Sequence, residues 1–386
     1  MTPQDLSRLE DRYPAIDDLA TAAKARIPHF AWEYLDSGTG RDEAMLSNEA
    51  ALKRVHLVPE FLQGDQAPET GVELMGERYA LPFGAAPIGM SGLIWPKAEM
   101  MIARACAAFD IPYCLSSVAA ASIEDVAPHH GGKGWFQLYP ARDEGLRRDV
   151  LQRAWGGGFK TLVLTVDIPL SSRRERQRRG GLGIQPNVSN QMLSHIVVRP
   201  GWALAALQGE KATLGTIAPY AKSRDLATVR AFFVNEWSCN PDWAYVEWLR
   251  REWQGKLVIK GVLHPQDAVA AVERGVDAVW CSNHGGRQFD AAPAAIDALP
   301  SVLDAVVGRA PVLFDGGIRS GLDIARALAL GADFTFVGRA PHYGVGALKE
   351  PGAHLAFHIL AEDLRNAMHQ AGTPDLQTLR QRLART

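Results

Sequence analysis

The stretch from Asp277 to Gln288, D-A-V-W-C-S-N-H-G-G-R-Q, decides the fold because an apolar run leads directly into a loop of chemically active residues. The run Ala278–Cys281 is continuously apolar, as in a strand that is covered on both faces. In the loop, His284 can change protonation near neutral pH. Arg287 can hold a carboxylate or a phosphate through its guanidinium fork. Taken alone, the loop could equally be a polar turn with a capping histidine, so the rest of the chain decides between the two.

Seven further apolar runs share this design, and helix-like segments follow most of them. The eight predicted strands are Phe83–Pro87, Ile111–Leu115, Gly134–Leu138, Thr161–Val166, Lys256–Ile259, Ala278–Cys281, Pro311–Phe314 and Asp333–Val337. The clearest predicted helices are Lys97–Phe109, Arg147–Gly156, Pro265–Arg274, Ala294–Val307 and Gly321–Leu330. Eight buried strands alternating with helices predict an α/β fold, a (β/α)8 TIM barrel. A doubly wound sheet is the alternative, but no G-x-G-x-x-G motif opens the first strand–helix unit.

Composition and charge exclude several classes of protein. The chain has 386 residues, 47% of them hydrophobic, with 41 Lys and Arg against 43 Asp and Glu. A net charge of -2 gives no general case for binding nucleic acid. Its four cysteines form no C-x-x-C pair, so neither disulfides nor a metal site are expected. With no signal peptide and no apolar run of about 20 residues, the protein is predicted to be cytoplasmic.

The predicted organisation is a single domain over residues 1–386 with one large insertion. A helical segment covers 1–80, the barrel covers 81–350 and C-terminal helices cover 351–386. The connection after the fourth strand is far longer than ordinary barrel loops, which predicts a lid insertion over 168–242. Its apolar stretch 196–207 could touch a membrane surface, or it could be a helix that packs on the barrel.

Polar, charged or glycine residues follow the carboxyl end of each predicted strand. Barrel enzymes build their active sites at this end. These residues are Pro87–Met90, Ser116–Ser117, Gln137 with Tyr139, Thr165–Asp167, Lys260–Gly261, Ser282–Arg287, Asp315–Arg319 and Gly338–Arg339. Any one of them could be a cap or a turn, but their recurrence at one end indicates a site.

The last two strand ends indicate a phosphate site. Gly316-Gly317 with Arg319, and Gly338 with Arg339, offer backbone N–H groups and two guanidinium groups where barrels commonly bind phosphate. The phosphate could belong to a sugar phosphate or to a flavin mononucleotide. Lys260 favours the flavin, because a cation beside the ring would stabilise the reduced, anionic form.

His284 and Asp167 are predicted to form a base and its orienting carboxylate. We expect the Asp167 carboxylate to raise the His284 pKa. Arg287 would hold a substrate carboxylate in a bidentate pair. Together these groups predict oxidation of a carbon that bears a hydroxyl next to a carboxylate.

At this point the chain resembles a known family, the FMN-dependent 2-hydroxy acid dehydrogenases and oxidases. The loop Ser282–Gln288 is close to a signature of that family, and the likeness extends from about Tyr34 to Arg339. The motifs that carry it are W-E-Y-L-D-S-G (32–38), A-P-I-G-M (86–90), L-S-S (115–117), F-Q-L-Y (136–139), L-T-V-D (164–167), R-R-E-R (173–176), V-I-K-G (258–261), F-D-G-G-I-R (314–319) and V-G-R (337–339).

The resemblance implies a role for each matching residue. His284 would take the substrate proton, from either the α-carbon or the hydroxyl, and Asp167 would orient His284. Tyr34, Arg287 and Arg174 would hold the carboxylate, Tyr139 would bond the hydroxyl or carbonyl, and the other residues of the basic run 173–179 would be solvated. FMN would be held by Pro87, Ile88, Gly89, Ser116, Gln137, Thr165, Lys260, Ser282, Asp315, Gly316, Gly317, Arg319, Gly338 and Arg339.

Departures from the family pattern suggest the substrate and the acceptor. Glycolate oxidases of this family have Trp where this chain has Val118 and Leu where it has Ser171, so a larger pocket is expected here. This favours an aryl acid such as mandelate, with lactate next. The segment Arg199–Trp202 resembles an H-P-R-W segment of the membrane lactate and mandelate dehydrogenases, although Gly201 replaces their Arg.

The expected partners are a small 2-hydroxy acid and an electron acceptor, either a quinone or O2, and an oxidase that makes H2O2 is the alternative to a dehydrogenase. The family also implies a homotetramer and possible peripheral contact with the inner membrane face. Two other functions remain open: a non-redox FMN isomerase, and an inactive flavin-binding paralogue. His354 and His358 are predicted to lie on a packing helix, with no metal.

Overall fold

The N-terminal segment wraps one side of the fold with four helices. The computed structural model describes residues 1–65, 67–182, 189–209 and 213–384. Within them, the first helices are α1 (Pro3–Glu10), α2 (Ile16–Arg26), α3 (His29–Asp36) and α4 (Glu43–Lys53). Thr2 caps α1 by accepting a hydrogen bond from the Asp5 amide. Residues Phe30 to Leu35 of α3 are all buried, so this helix is fixed against the barrel.

An antiparallel hairpin, which the sequence analysis did not predict, leads into the barrel. Its strands are β1 (Val72–Leu74) and β2 (Glu77–Tyr79). Only Leu74 and Tyr79 of the hairpin strands are fully buried. The strands are too short and too polar to stand out as a strand pattern in the sequence.

Eight parallel strands of the described chain close into a barrel, which confirms the predicted fold. They are β3 (Phe83–Ala85), β4 (Tyr113–Ser116), β5 (Gly134–Leu138), β6 (Thr161–Thr165), β7 (Lys256–Val262), β8 (Ala278–Cys281), β9 (Val312–Phe314) and β10 (Phe334–Val337). They pair in chain order, and β10 closes the barrel against β3. The predicted bounds of β5 and β8 match the observed ones, and each of the other six runs contains or overlaps its strand, with differences of at most three residues at the ends.

The helices between the strands cover the outside of the barrel. They are α5 (Ala98–Ala108), α6 (Ile123–Val126), α7 (Glu144–Gly156), α12 (Trp243–Glu252), α13 (Pro265–Glu273), α14 (Ala295–Val306), α15 (Gly321–Leu330) and α16 (Arg339–Leu348). The chain ends with α17 (Glu350–Gln370) and α18 (Leu376–Leu379). His354 and His358 lie on α17, which packs on α15 and α16.

The insertion between β6 and α12 has helices of its own. They are α8 (Glu175–Arg179), α9 (Asn190–Val197), α10 (Pro200–Gln208) and α11 (Leu226–Phe232), and α11 continues into a π-helical turn, Phe233–Trp237. Residues 183–188 and 210–212 of the predicted insertion 168–242 lie outside the described residues. No helix in the described ranges is both long enough and apolar enough to cross a bilayer.

The inside of the barrel has an aromatic half and a polar half. We call the amino ends of the strands the lower end and the carboxyl ends the upper end. In the lower half, Trp280 stacks on Phe336 with ring centroids 4.0 Å apart, and Trp135 lies 5.1 Å from Phe336. Tyr79 of the hairpin closes this end, and its hydroxyl accepts a hydrogen bond from the Trp135 indole.

Candidate active site

The upper half of the barrel interior is polar. Side chains two residues apart on a strand face the same side. Two positions after an inward-facing apolar residue comes a polar one: Gln137 after Trp135 on β5, Lys260 after Val258 on β7, and Ser282 after Trp280 at the end of β8. The aromatic layer therefore lies directly below a layer of hydrogen-bonding groups.

A buried ion pair forms one side of this polar layer. Lys260 Nζ lies 2.8 Å from Asp315 Oδ2 and donates to Ser282 Oγ at 2.7 Å. Ser282 Oγ in turn donates to Asp315 Oδ1 at 2.6 Å. Lys260 is only 4% exposed, so its charge is held almost fully away from water. The pair fixes the ammonium group at the upper end of β7.

Several polar atoms in this layer are buried and lack a hydrogen-bond partner among the described residues. Ser116 Oγ donates to Gln137 Oε1 at 2.7 Å, but Gln137 Nε2 and Thr165 Oγ1 have no partner. Buried polar groups in folded proteins are nearly always satisfied. A ligand with its own donors and acceptors therefore fits above β4, β5 and β6, and a flavin ring has such polar edges.

His284 and Asp167 meet at the same end of the barrel. His284 Nδ1 lies 3.0 Å from Asp167 Oδ1, and both side chains are mostly buried. The backbone of His284 has φ 57°, which is uncommon for a residue with a side chain. Its amide donates to Ser282 Oγ at 3.0 Å, which helps to hold this conformation. Gly261 makes room for the pair, because a Cβ there would lie 2.5 Å from Asp167 Cβ.

The Asp167 carboxylate raises the pKa of His284 as expected, but burial, which the sequence analysis did not consider, has the larger effect. Burial lowers the pKa of His284 below its ordinary value of 6.5, and it outweighs the Asp167 carboxylate, which acts in the opposite sense. Burial alone would raise the pKa of Asp167, but the His284 imidazole and the Lys260 ammonium group bring it below its usual value. The histidine is therefore neutral at pH 7, and Nε2 can accept a proton while Asp167 fixes the ring.

Three arginines surround the space next to His284. Arg287 Nη1 donates to the Ser37 carbonyl at 2.6 Å. Arg339 donates to the carbonyls of Leu35, Ser37 and Gly285. Burial, together with Arg174 and Arg339 nearby, lowers the pKa of Arg287 to about 9. Within the described residues, Arg287 and Arg339 form no ion pair with a carboxylate, so this space favours an anion.

Two tyrosines and a small apolar side chain complete the surroundings. Tyr34 OH donates to the Gly89 carbonyl at 2.7 Å, and the Arg287 guanidinium lies 5.4 Å from the Tyr34 ring centre. A Cβ on Gly89 would lie 2.6 Å from Val118 Cγ2, so the two segments pack tightly. Burial raises the pKa of Tyr139 above its ordinary value, and the Asp167 carboxylate adds to this. Tyr139 thus keeps its proton and can donate a hydrogen bond.

The predicted phosphate residues lie at the ends of β9 and β10. Gly316 and Gly317 have φ 126° and 85°, which side-chain-bearing residues rarely adopt. Arg319 Nη2 lies 2.9 Å from Glu49 Oε1, so this arginine has a carboxylate partner on α4. Arg339 has only carbonyl partners among the described residues and is the stronger candidate for a phosphate.

Apart from Tyr34 and Arg174, the other predicted site residues lie at or just beyond the upper ends of the strands. Tyr34 and Arg174 reach the same end from α3 and from the start of the insertion. Sequence reasoning missed Ser172, whose hydroxyl donates to the Arg287 carbonyl at 2.7 Å and accepts from Arg174 Nε at 3.1 Å. It also missed Gln288, whose Oε1 accepts from Arg174 Nη2 at 3.1 Å. Gln288 is part of the signature loop, so the motif carried a signal for it.

The prediction that the neighbours of Arg174 are solvated was wrong for Arg176. This side chain forms ion pairs with Glu33, Asp36 and Asp42. Nothing in the local pattern R-R-E-R distinguishes it from its neighbours, because its partners lie over 130 residues earlier in the chain.

Comparison with known proteins identifies relatives along almost the whole chain. The family model described as FMN-dependent dehydrogenase matches residues 23–386. An L-lactate dehydrogenase of Caulobacter vibrioides is 37% identical over 364 residues, covering 94% of this chain and 95% of the relative. An L-lactate dehydrogenase of Xanthomonas axonopodis pv. citri is 39% identical, covering 93% of both chains.

Solved structures with the same fold have names that refer to mandelate. One is described as the monotopic membrane protein (S)-mandelate dehydrogenase, with a TM-score of 0.91 and 30% identity, covering 96% of this chain and 99% of the other. A mandelate oxidase superposes with a TM-score of 0.82 and 32% identity, covering 96% and 97% of the two chains.

Proposed function

Because this chain belongs to the family of FMN-dependent dehydrogenases, it is an oxidoreductase that uses FMN and acts on a 2-hydroxy acid. We propose that it oxidises an L-(S)-2-hydroxy acid to the 2-oxo acid with His284 as the base. The observation that carries this proposal is the buried pair of His284 and Asp167 beside Arg287. A neutral base and an anion-binding guanidinium group stand together on one loop.

His284 would remove one proton from the bound acid. In a carbanion route the proton comes from the α-carbon, and in a hydride route it comes from the hydroxyl. His284, oriented by Asp167, can act as the base in either route. Asp167 fixes the imidazole through Nδ1, leaves Nε2 as the acceptor and stabilises the imidazolium that forms. Such base catalysis typically contributes about 10²–10⁴-fold to a rate.

The substrate carboxylate would lie between Arg287, Tyr34 and Arg174. Arg287 offers a fixed guanidinium group, since its position is set by carbonyls of the α3 segment. Tyr139 would donate to the hydroxyl or carbonyl oxygen, as its raised pKa keeps its proton in place. These contacts would present the reacting carbon to His284.

FMN would occupy the polar layer at the upper end of the barrel. When bound, it accepts the two electrons that the substrate gives up. Gln137 and Thr165 have buried polar atoms that lack partners in the described chain, which supports a ring above them. Lys260 would face the ring's polar edge, Asp315 the ribityl chain, and Arg339 with Arg319 the phosphate. The remaining cofactor contacts would come from Pro87, Ile88, Gly89, Ser116, Ser282, Gly316, Gly317 and Gly338.

We propose mandelate as the preferred substrate and lactate as the next. The small Val118 lies beside Gly89 and Tyr34, where a larger side chain would narrow the pocket. The mandelate enzymes among the structural neighbours support the aryl acid, and the L-lactate dehydrogenases among the relatives support lactate.

A quinone is the proposed acceptor, with peripheral membrane contact through the insertion; O2 is the alternative. The helices α9 and α10 have one face packed on the protein, where Trp202 is buried and donates to the Ile94 carbonyl at 3.1 Å. Exposed apolar side chains lie on the same helices or at the end of α9: Leu193, Val197, Val198, Leu204 and Leu207. A structural neighbour named as a monotopic membrane protein supports this contact. We also propose a homotetramer, which light scattering of the purified protein would test.

Anaerobic addition of (S)-mandelate and then of L-lactate tests the proposed reaction. Either acid should bleach the visible flavin absorbance, and the faster acid identifies the preferred substrate. Readmission of air then distinguishes an oxidase from a dehydrogenase. A flavin spectrum that no 2-hydroxy acid bleaches would contradict the proposal and favour the isomerase or the inactive paralogue.

A further inference from the structure

The start of the insertion is tied to the N-terminal helices by one arginine and three carboxylates. Arg176 Nε lies 2.8 Å from Glu33 Oε2, Nη1 lies 2.8 Å from Asp42 Oδ2, and Nη2 lies 2.9 Å from Asp36 Oδ2. Glu33 and Asp42 are mostly buried, and Arg176 is about three-quarters buried. We call Arg176, Glu33, Asp36 and Asp42 the Arg176 latch. None of its members has a role in the proposed reaction.

The latch joins two segments that supply substrate contacts. Glu33 precedes Tyr34 on α3, and Arg176 lies two residues after Arg174. Asp42 also accepts from the Gly38 amide at 2.8 Å, and Asp36 accepts from Tyr343 OH at 2.8 Å. Asp36 is thus fixed to α16 and Asp42 within the N-terminal segment, and Arg176 attaches the insertion to both.

Arg174 needs support from outside its own contacts. Its backbone has φ 43°, a left-handed conformation that costs energy for a residue with a side chain. Its guanidinium group donates to two uncharged acceptors, Ser172 Oγ and Gln288 Oε1, both at 3.1 Å. Its amide donates to Thr39 Oγ1 at 3.3 Å. Arg176, two residues later, instead makes three shorter contacts of 2.8–2.9 Å with carboxylates, and such ion-paired hydrogen bonds are the stronger kind.

We propose that the Arg176 latch is a positioning device that sets the spacing of Arg174 and Tyr34, and thereby the affinity for the substrate carboxylate. The inference rests on the proposed function, in which those two residues bind that group. The two side chains come from segments about 140 residues apart, so their spacing needs a rigid tie. A buried cation with three anionic partners provides such a tie, because each bond restrains the guanidinium in a different direction. His284 stands on another loop and is not held by the latch.

Arg176→Met and Arg176→Lys test the inference, with Arg178→Met as the matched control. Arg178 is exposed on the same helix, so its loss removes the same charge without touching the latch. The dissociation constant of benzoate, an aryl carboxylate that cannot be oxidised, is measured from the change in flavin absorbance. It should rise about tenfold or more in Arg176→Met, since hydrogen bonds to charged groups carry effects of that size. KM for the hydroxy acid should rise in parallel while kcat stays within about twofold.

Arg176→Lys should give an intermediate benzoate affinity, because it keeps the charge and loses the fork. If Arg176→Met does not retain flavin, Arg176→Lys is compared with Arg178→Met in its place. Benzoate affinity in Arg176→Lys equal to that of the wild type and of Arg178→Met would overturn the proposal. A fall in kcat as large as the rise in KM would overturn it too, because the latch would then act on the chemistry.

A double-mutant cycle with Arg174→Met separates positioning from general stability. If the latch acts through Arg174, adding Arg176→Met to Arg174→Met should change benzoate affinity by less than about twofold. An undiminished effect in that background would contradict the inference. Failure of the proposed function would look different: no 2-hydroxy acid would bleach the wild-type flavin, while benzoate binding would still report on the latch.

Discussion

The two ends of the barrel interior differ sharply although the same strands build both. On β5, Trp135 faces the lower half and Gln137 the upper half. On β8, Trp280 stacks on Phe336 in the lower half, and Ser282 just beyond the strand bonds Lys260 and Asp315. A step of two residues, about 7 Å along the strand, therefore separates the packed aromatic side chains from the polar groups.

The segments next to the two ends of the barrel also differ, one being tightly packed and the other not. The β1–β2 hairpin closes the lower end with Tyr79, which is buried and hydrogen-bonded to Trp135. At the upper end, Gln137 and Thr165 have buried polar atoms without partners among the described residues, and the insertion that follows β6 leaves some of its own apolar side chains exposed. From this difference we expect the free energy of unfolding to depend on the lower half of the barrel interior, and substrate binding and turnover to depend on the upper half.

Phe334→Ala should show the largest effect, and it should be on stability alone. Phe334 is fully buried in the lower half, with its ring 5.5 Å from Tyr79 and 5.3 Å from Phe336. Loss of a buried Phe side chain typically costs about 3–5 kcal/mol. Denaturant unfolding measures this loss. The rate of flavin reduction in the folded protein should stay within about twofold of the wild-type rate. A large drop in that rate would show that the lower half also contributes to catalysis.

Arg287→Met should act on the upper end and mainly on kcat/KM. Removing one partner of a buried charged contact costs about 2–5 kcal/mol, so kcat/KM for mandelate should fall by at least roughly 30-fold. Arg250 is the matched control at the lower end, where it bonds Asp277 and the Gly255 carbonyl at 2.8 Å each. Arg250→Met should lower the melting temperature and keep kcat/KM. The reverse pattern would refute the division between the two ends.

Leu204→Ser with Leu207→Ser tests the exposed face of the insertion. The two side chains are 57% and 84% exposed, and full burial of a Leu is worth about 1.5–3 kcal/mol. Binding to liposomes made of bacterial lipids should weaken roughly tenfold or more. Turnover with a soluble acceptor dye should not change. Phe61→Ser with Leu62→Ser, an exposed apolar pair elsewhere, should bind liposomes like the wild type; equal loss in both double variants would remove the proposed role of α10.

The pH dependence should give the smallest effect. Because burial lowers the pKa of His284 below its ordinary value of 6.5, the imidazole is mostly neutral above that pH. The acid limb of the kcat/KM profile should therefore be centred below pH 6.5. Asp167 raises the His284 pKa in part, so Asp167→Asn should move the acid limb further down. An acid limb centred above pH 6.5 in the wild type would contradict a neutral base.

The barrel could be predicted from sequence because fully buried strands are continuous apolar runs, such as Thr161–Thr165 and Ala278–Cys281. Most candidate site residues could be predicted for a related reason, since residues that follow such runs must lie at one end of the barrel. The hairpin could not, because Val72–Leu74 and Glu77–Tyr79 bury too few side chains to form a pattern.

The features that sequence reasoning missed depend on contacts between distant segments. Arg176 resembles its solvated neighbours in sequence, and only the fold brings Glu33, Asp36 and Asp42 to it. The effect of Asp167 on the His284 pKa was predicted, but the larger and opposite effect of burial was not, because the motif shows the carboxylate partner and not the depth of burial. Both omissions concern how much water surrounds a charge, which a linear pattern does not record.

The most direct test of the account is the rate of flavin reduction by (S)-mandelate in His284→Gln, followed anaerobically beside the wild type. His130→Gln is the control, because His130 is also buried but bonds the Gly157 carbonyl near the lower end. His284→Gln should keep its flavin and melting temperature, but its flavin should be reduced about 10²–10⁴-fold more slowly. His130→Gln should lose stability, and its flavin should be reduced at the wild-type rate. Wild-type reduction of flavin in His284→Gln would show that His284 is not the base, and the upper end would have to be assigned anew.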